Sequence, residues 1–194
     1  VTTGDDRIDR PYLLAVERLE ESQKDLTTLL EAYALLRKTF HREEWLYIIG
    51  KGSSEEELKQ KARALGIADR TVFLGFCANP YPWMLRSRLL VHSAKFEGLP
   101  TVLIEGLLLD KLMVATDCPT GPREILDDGR AGLLVPVGDA AAFASATDRL
   151  LNDTQLQADI LQGVRDRAAD FTFQAVDSKL RELMGVRLST DGNR

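Results

Sequence analysis

The chain has 194 residues, 44% of them hydrophobic and 28% charged, and a formal net charge of −5. That length suits one compact domain or at most two small ones, and the acidic balance argues against a surface built to grip nucleic acid. Cys77 and Cys118 stand far apart without metal-ligand or disulfide spacing, and no apolar run nears the roughly 20 residues that cross a bilayer, so a soluble protein of a reducing cytoplasm is expected.

The chain starts at Val1, and its first stretch, "VTTGDDRIDRP", is polar and rich in turn formers. Residues 1–10 read as a linker from an absent N-terminal domain, and the chain as a fragment. From residue 11 short apolar runs alternate with helix-period segments. "YLLAV" precedes "DLTTLLEAYALLRKTF", "WLYIIG" precedes "EEELKQKARALGI", and "VFLG" precedes "YPWMLRS". "LLVHSA" then precedes "TVLIEGLLL", "KLMVAT" precedes "PREILDD", and "GLLVP" follows.

Strands that are continuously apolar, each followed by an amphipathic helix, indicate a parallel sheet covered on both faces. The spacing predicts an α/β, Rossmann-like, doubly wound sheet of about six strands within residues 11–186. After Pro136 only helical patterns remain, beginning with Asp139 as N-cap of "AAAFASATDRLLN" and continuing through "TQLQADILQGVRDRAADF" and "TFQAVDSKLRELMG". Residues 187–194 read as a frayed tail.

In open parallel sheets ligands bind beyond the carboxyl ends of the strands. "VERLEESQK", "GKGS", "GFCANP", "KFEGLP" and "DCPTGPRE" all fall in such loops. Gly98-Leu99-Pro100 leads into a helix starting near Thr101, whose unpaired amides and positive end suit a phosphate. Gly98 permits close backbone approach, and Pro100 presets the helical entry. A second loop, Gly50-Lys51-Gly52-Ser53, offers similar chemistry but lacks a complete phosphate-binding fingerprint.

Arg18 and Lys24 are placed to put two cations beside the same phosphates, or else to pair at the surface with Glu17, Glu20 or Glu21. Glu105, inside an otherwise apolar helix, needs a partner if buried. Ribose hydroxyls and the field of the helix N-terminus are both suitable, and spacing does not choose between them.

The pair Glu97 and Glu105 enclosing "GLP", together with "ERL…QKD", "IIGKGSSEEELKQKARALGI", "VFLGFCANPYPWM", "VATDCPTGPREIL" and "GLLVPVGD", resembles the C-terminal, donor-binding half of family-four glycosyltransferases with the GT-B fold. The resemblance runs from about Pro11 to Leu151, and its wording is most similar to bacterial enzymes that build lipopolysaccharide or capsule. It implies a retaining transfer from a nucleoside-diphosphate sugar to a glycan or lipid-linked acceptor, with no catalytic metal, no nucleic-acid partner and acceptor recognition in the absent domain.

The same resemblance implies residue roles. Arg18 and Lys24 bind the diphosphate and stabilise it as it leaves, while Gly98, Leu99, Pro100 and Thr101 cradle its distal phosphate. Glu105 holds the ribose, Glu97 faces the donor sugar, and Phe76 and Cys77 lie where the base is met. It also implies a cytoplasmic enzyme, with peripheral association at the inner face of the membrane through the other half. Glu97 and Glu105 serve different parts of one donor, so they are not a glycosidase acid and nucleophile pair.

The family usually has glycine where this chain has Glu17, a carboxylate able to repel phosphate. That departure keeps two alternatives in play, a non-catalytic nucleotide-sugar-binding module and half of a sugar-nucleotide epimerase. His92 reads as a packed neighbour of Glu97, and the two cysteines as inert thiols. Trp83 and Met84 read as packing residues, the pairs Asp5-Asp6 and Asp127-Asp128 as turn or linker acids, and Glu124 as a support for the Glu97 loop, a residue facing the sugar, or a helix-capping acid.

Overall fold

A computed structural model describes residues 5–184. Six parallel strands form one sheet in the order β3-β2-β1-β4-β5-β6. They are β1 (Tyr12–Val16), β2 (Trp45–Ile49), β3 (Thr71–Gly75), β4 (Leu89–His92), β5 (Met113–Thr116) and β6 (Leu133–Val135). Helices α1 (Leu26–Lys38), α2 (Glu55–Leu65), α3 (Tyr81–Arg86), α4 (Thr101–Leu108) and α5 (Pro122–Ile125) fill the crossovers. This is the α/β, doubly wound arrangement that the alternating pattern predicts.

The sequence needs such a sheet because β1, β4 and β5 are apolar on both faces. Tyr12, Leu13, Leu14 and Ala15 of β1, and Met113, Val114 and Ala115 of β5, are all buried. At one end of the sheet Tyr12 stacks on Tyr47 with ring centroids 4.6 Å apart, and the Tyr12 hydroxyl donates to the Trp83 carbonyl at 2.6 Å. Trp83 and Met84 are buried there. Charges gather instead at the opposite end, where β1 and β4 stop.

Gly106 sets the distance of α4 from the sheet. A Cβ there would lie 2.5 Å from Met113 Sδ and 2.9 Å from Leu90 Cδ1, so the helix rests directly on β4 and β5. Three more helices follow, α6 (Ala140–Asn152), α7 (Thr154–Ala168) and α8 (Phe173–Leu183). Each begins with a side-chain cap, from Asp139 to the Ala142 amide, Asp153 to Leu156, and Thr172 to Ala175.

Part of the stretch expected to be linker is folded onto the domain. Asp6–Asp9 make a turn of 3-10 helix that buries Ile8, the Tyr47 hydroxyl donates to the Arg7 carbonyl, and Arg10 stacks over Trp45. A single buried isoleucine among polar neighbours gives little periodic signal, which is why this segment does not read as structure. The tail expected at 187–194 lies outside the described residues, and among those described no helix is long and apolar enough to cross a membrane.

Candidate functional site

The strand order reverses between β1 and β4, and the loops leaving their carboxyl ends face each other across the resulting crevice. Backbone bonds stitch the two loops together. The Asp25 amide donates to the Ser93 carbonyl at 3.1 Å, Lys95 donates to Gln23 at 2.8 Å, and Lys24 bridges Ala94 in antiparallel fashion. Lys24 is therefore carried to the end of β4 and is buried there, in contrast to the exposed surface pairing open to it in the sequence.

The ammonium of Lys24 donates to Glu97 Oε1 and stands 3.9 Å from Glu17 Oε2. His92 lies between the two acids, with Nδ1 3.6 Å from Glu17 Oε1 and Nε2 3.5 Å from Glu97 Oε1. Gln23 donates to the second oxygen of Glu97 at 3.4 Å and accepts from Arg18 at 3.0 Å, linking the exposed guanidinium to the cluster. Burial by itself would raise the Glu97 carboxyl, but the neighbouring His92 and Lys24 outweigh it and bring the pKa down to about 2. Glu97 is thus a fixed anion held beside a cation.

Glu17 turns neither into the crevice nor into solvent. Its side chain is fully buried, accepts the Ser93 amide at 3.1 Å and has its pKa raised by burial.

The loop after β5 fixes the entry to α4. The Thr120 hydroxyl donates to the Glu97 carbonyl, and Gly121, at φ 86°, packs so closely that a Cβ would lie 2.5 Å from Pro100 Cδ. α4 then starts at Thr101 with no side-chain cap and no acid in its first turn. The amides of Leu99, Thr101 and Val102 have no acceptor among the described residues. A Cβ placed on Gly98 would meet nothing within 4 Å, so the space beside this backbone is open.

Glu105 follows Thr101 by four residues, and helical side chains lean toward the N-terminus, so its carboxylate lies over the first turn of α4. It is half-buried and among the described residues has neither a hydrogen bond nor an ion pair, and burial raises its pKa. Of the two partners open to it in the sequence, the amides of its own helix start do not hold it.

The other glycine loop is occupied. A Cβ on Gly50 would lie 1.8 Å from the Glu17 carbonyl oxygen, and one on Gly52 would lie 2.2 Å from that of Leu19. The Ser53 amide is already donated to Glu20 at 2.9 Å. The structure therefore gives Gly50 and Gly52 a packing reason. Phe76 is 71% exposed beyond β3, and Cys77 donates its thiol to the Asn79 carbonyl at 3.2 Å. Glu124 is exposed, and its side chain makes no hydrogen bond or ion pair among the described residues.

Sequence reasoning brings Arg18, Lys24, Glu97 and the start of α4 to one crevice, and the fold does the same. It misses Gln23 and the placement of His92 between two acids. The signal for Gln23 was its adjacency to Lys24, with which it shares the turn closed on the Glu20 carbonyl. Among the described residues no group of three or more His, Cys, Asp or Glu side chains has metal-holding geometry.

The family model described as "Glycosyl transferases group 1" matches residues 10–153. A Campylobacter jejuni protein, N-acetylgalactosamine-N,N'-diacetylbacillosaminyl-diphospho-undecaprenol 4-alpha-N-acetylgalactosaminyltransferase, is 31% identical over 160 residues, 82% of this chain and 42% of the relative. The lipopolysaccharide 1,6-galactosyltransferase of Salmonella typhimurium is 32% identical over 188 residues, 90% of this chain and 51% of that one. The chain thus spans about half the length of the curated relatives it matches. In fold it is similar to Anabaena HepE in complex with UDP and glucose, with a TM-score of 0.81 at 23% identity over 93% of this chain and 50% of HepE.

Proposed function

This chain belongs to the group 1 glycosyl transferases, and from that premise we propose that its crevice binds a nucleoside-diphosphate sugar for transfer to a surface-glycan acceptor. The distal phosphate sits on the unpaired amides of Leu99, Thr101 and Val102, where the positive end of α4 meets it. The open space at Gly98 admits the phosphate oxygens. Arg18 adds a charge-assisted fork from the exposed side and Lys24 a point charge from beneath, so the leaving diphosphate is neutralised by fixed dipoles and cations. No divalent metal is needed in this scheme, and chelator is expected to leave affinity unchanged.

Glu105 accepts from the ribose hydroxyls, which supplies the donors it lacks in the free chain. Glu97, ionised at any working pH, accepts from hydroxyls of the donor sugar while Lys24 and His92 hold its orientation. Transfer proceeds with retention, as the resemblance implies. The acceptor is a glycan or a lipid-linked sugar, the class named in the Campylobacter relative, and the donor half alone supplies little transfer because it does not hold the acceptor against the anomeric carbon. In the whole enzyme this chemistry belongs to lipopolysaccharide or capsule synthesis in the cytoplasm, at the membrane face.

One observation carries the reading: an uncapped helix start whose amides, like the carboxylate one turn later, have no partner among the described residues. Calorimetric titration with uridine and guanosine diphosphates tests it. Binding weakened by both Arg18→Ala and Glu105→Ala is expected, and identical isotherms in the three proteins refute it.

A further inference from the structure

Behind Glu97 lie two buried groups, His92, which helps to orient it, and Glu17, which has no task in that scheme. The Glu17 side chain is fully buried and that of His92 is 2% exposed. Glu17 Oε2 and both ring nitrogens of His92 lack a hydrogen-bond partner of ordinary geometry. Yet the ring stands between two carboxylates, 3.6 Å from Glu17 through Nδ1 and 3.5 Å from Glu97 through Nε2. A neutral imidazole carries one N–H and one lone pair. Were both acids ionised around a neutral ring, a lone pair would face an anion in a site closed to water, a costly arrangement.

One additional proton removes that conflict. Placed on the ring, it lets the imidazolium donate to Glu17 and Glu97 at once. Placed on Glu17, it is donated to Nδ1 while Nε2–H donates to Glu97. The two forms carry the same charge and differ by transfer of one proton between Glu17 Oε1 and Nδ1. We propose that Glu17 and His92 hold one proton between them and act as a positioning dyad that keeps an N–H aimed at Glu97.

The charge count supports this. With the proton the dyad is neutral, Lys24 balances Glu97, and the four groups sum to zero. Without it a net negative charge stands beneath the α4 amides.

Beyond the two acids the surroundings supply no other partner for the ring nitrogens among the described residues. From the loop after β1, Lys24 faces both acids, while Asp25 is occupied by the Gly138 amide at 3.2 Å. From β5, the Thr116 hydroxyl is used by the backbone of Ala94. Beyond β5, Asp117 pairs with Arg123, and the Cys118 thiol, pushed up to about 11 by burial and then by Glu97, stays neutral. Burial likewise favours the protonated form of Glu17.

Ring ¹⁵N spectra of the 194-residue chain decide the point, with exposed His41 as the other histidine. At neutral pH His92 is expected to show a hydrogen on Nε2 and a Nδ1 signal displaced toward the protonated position. Glu17→Gln, which keeps the shape but shares no proton, returns Nδ1 to the lone-pair position. A lone-pair Nδ1 in the unsubstituted chain, or spectra unchanged by Glu17→Gln, overturns the dyad, and the first readout needs no variant to fold.

The consequence for the donor rests on the function proposed above. Affinity for uridine diphosphate is expected to fall roughly three- to tenfold more as pH rises in the unsubstituted chain than in Glu17→Gln, as an uncompensated charge appears below the phosphates. Superimposable profiles refute the dyad's effect on the donor. Absence of diphosphate binding refutes the donor reading, while the ring spectra still stand or fall by themselves.

Discussion

Gly50–Ser53 and Gly98–Thr101 both carry glycine into the start of a helix at the same end of the sheet, yet they differ in what fills the space beside the glycine. In the first, the missing side chains of Gly50 and Gly52 are replaced by the backbone of residues 17–19, and the Ser53 amide is taken by Glu20. In the second, space is open at Gly98, the amides of Leu99, Thr101 and Val102 are unspent, and Lys24 and Arg18 approach from the neighbouring loop. Glycine in a loop therefore has two meanings, close backbone packing or room for a ligand. The contents of the space beside it distinguish them.

The largest effect that sharpens this contrast is on folding. Gly52→Ala forces a Cβ to within 2.2 Å of the Leu19 carbonyl oxygen, and a loss of about 4 kcal/mol or outright failure to fold is expected. Gly98→Ala meets no atom within 4 Å and should change stability by no more than about 1 kcal/mol. Denaturant midpoints check both, and equal midpoints would break the comparison.

Next in size is the donor. Glu105→Ala should weaken diphosphate binding roughly 10- to 100-fold, the worth of a hydrogen bond to a charged group. Stability should hold or rise slightly, because the carboxylate removed has no partner to lose. A fall in stability without a fall in affinity would make Glu105 a structural residue.

Acid titration gives a smaller, signed effect. Glu97 has a pKa of about 2 against an ordinary 4.5, so its contribution is complete above about pH 4.5 and is lost as pH falls toward 2. Glu17 is shifted upward, so its term has the opposite sign, and stability declines as pH rises from the ordinary carboxylate value toward its folded one. Glu97→Gln should flatten the acid arm of a melting-temperature profile, and Glu17→Gln the decline above it. If both variants parallel the unsubstituted chain, the cluster is not titrating as described. The smallest effect belongs to Glu20→Gln, which should slightly loosen the start of α2 and leave diphosphate affinity unchanged, because the Ser53 amide is not in the donor seat.

The layout of the sheet was legible because parallel strands buried on both faces read as unbroken apolar runs, as in "YLLAV" and "KLMVAT". Glu97 and Glu105 stood out because acids beside a glycine turn and inside an apolar helix demand a partner. The pairing itself was hidden. Lys24 meets Glu97 and His92 meets Glu17 only because β1 and β4 are adjacent in the sheet, and neither separation leaves a local pattern. The packing at Gly50 and Gly52 was hidden for the same reason, since the backbone that fills the space beside them comes from another loop. Ile8 likewise needed the finished sheet to show what buries it.

The central claim is that the amides opening α4 are the seat of a diphosphate. Backbone ¹H–¹⁵N spectra recorded while uridine diphosphate is added to the chain test it most directly. The account expects the largest shifts at Leu99, Thr101 and Val102, with Gly50–Ser53 nearly still. Shifts centred on Gly50–Ser53, or none anywhere at millimolar ligand, would contradict it.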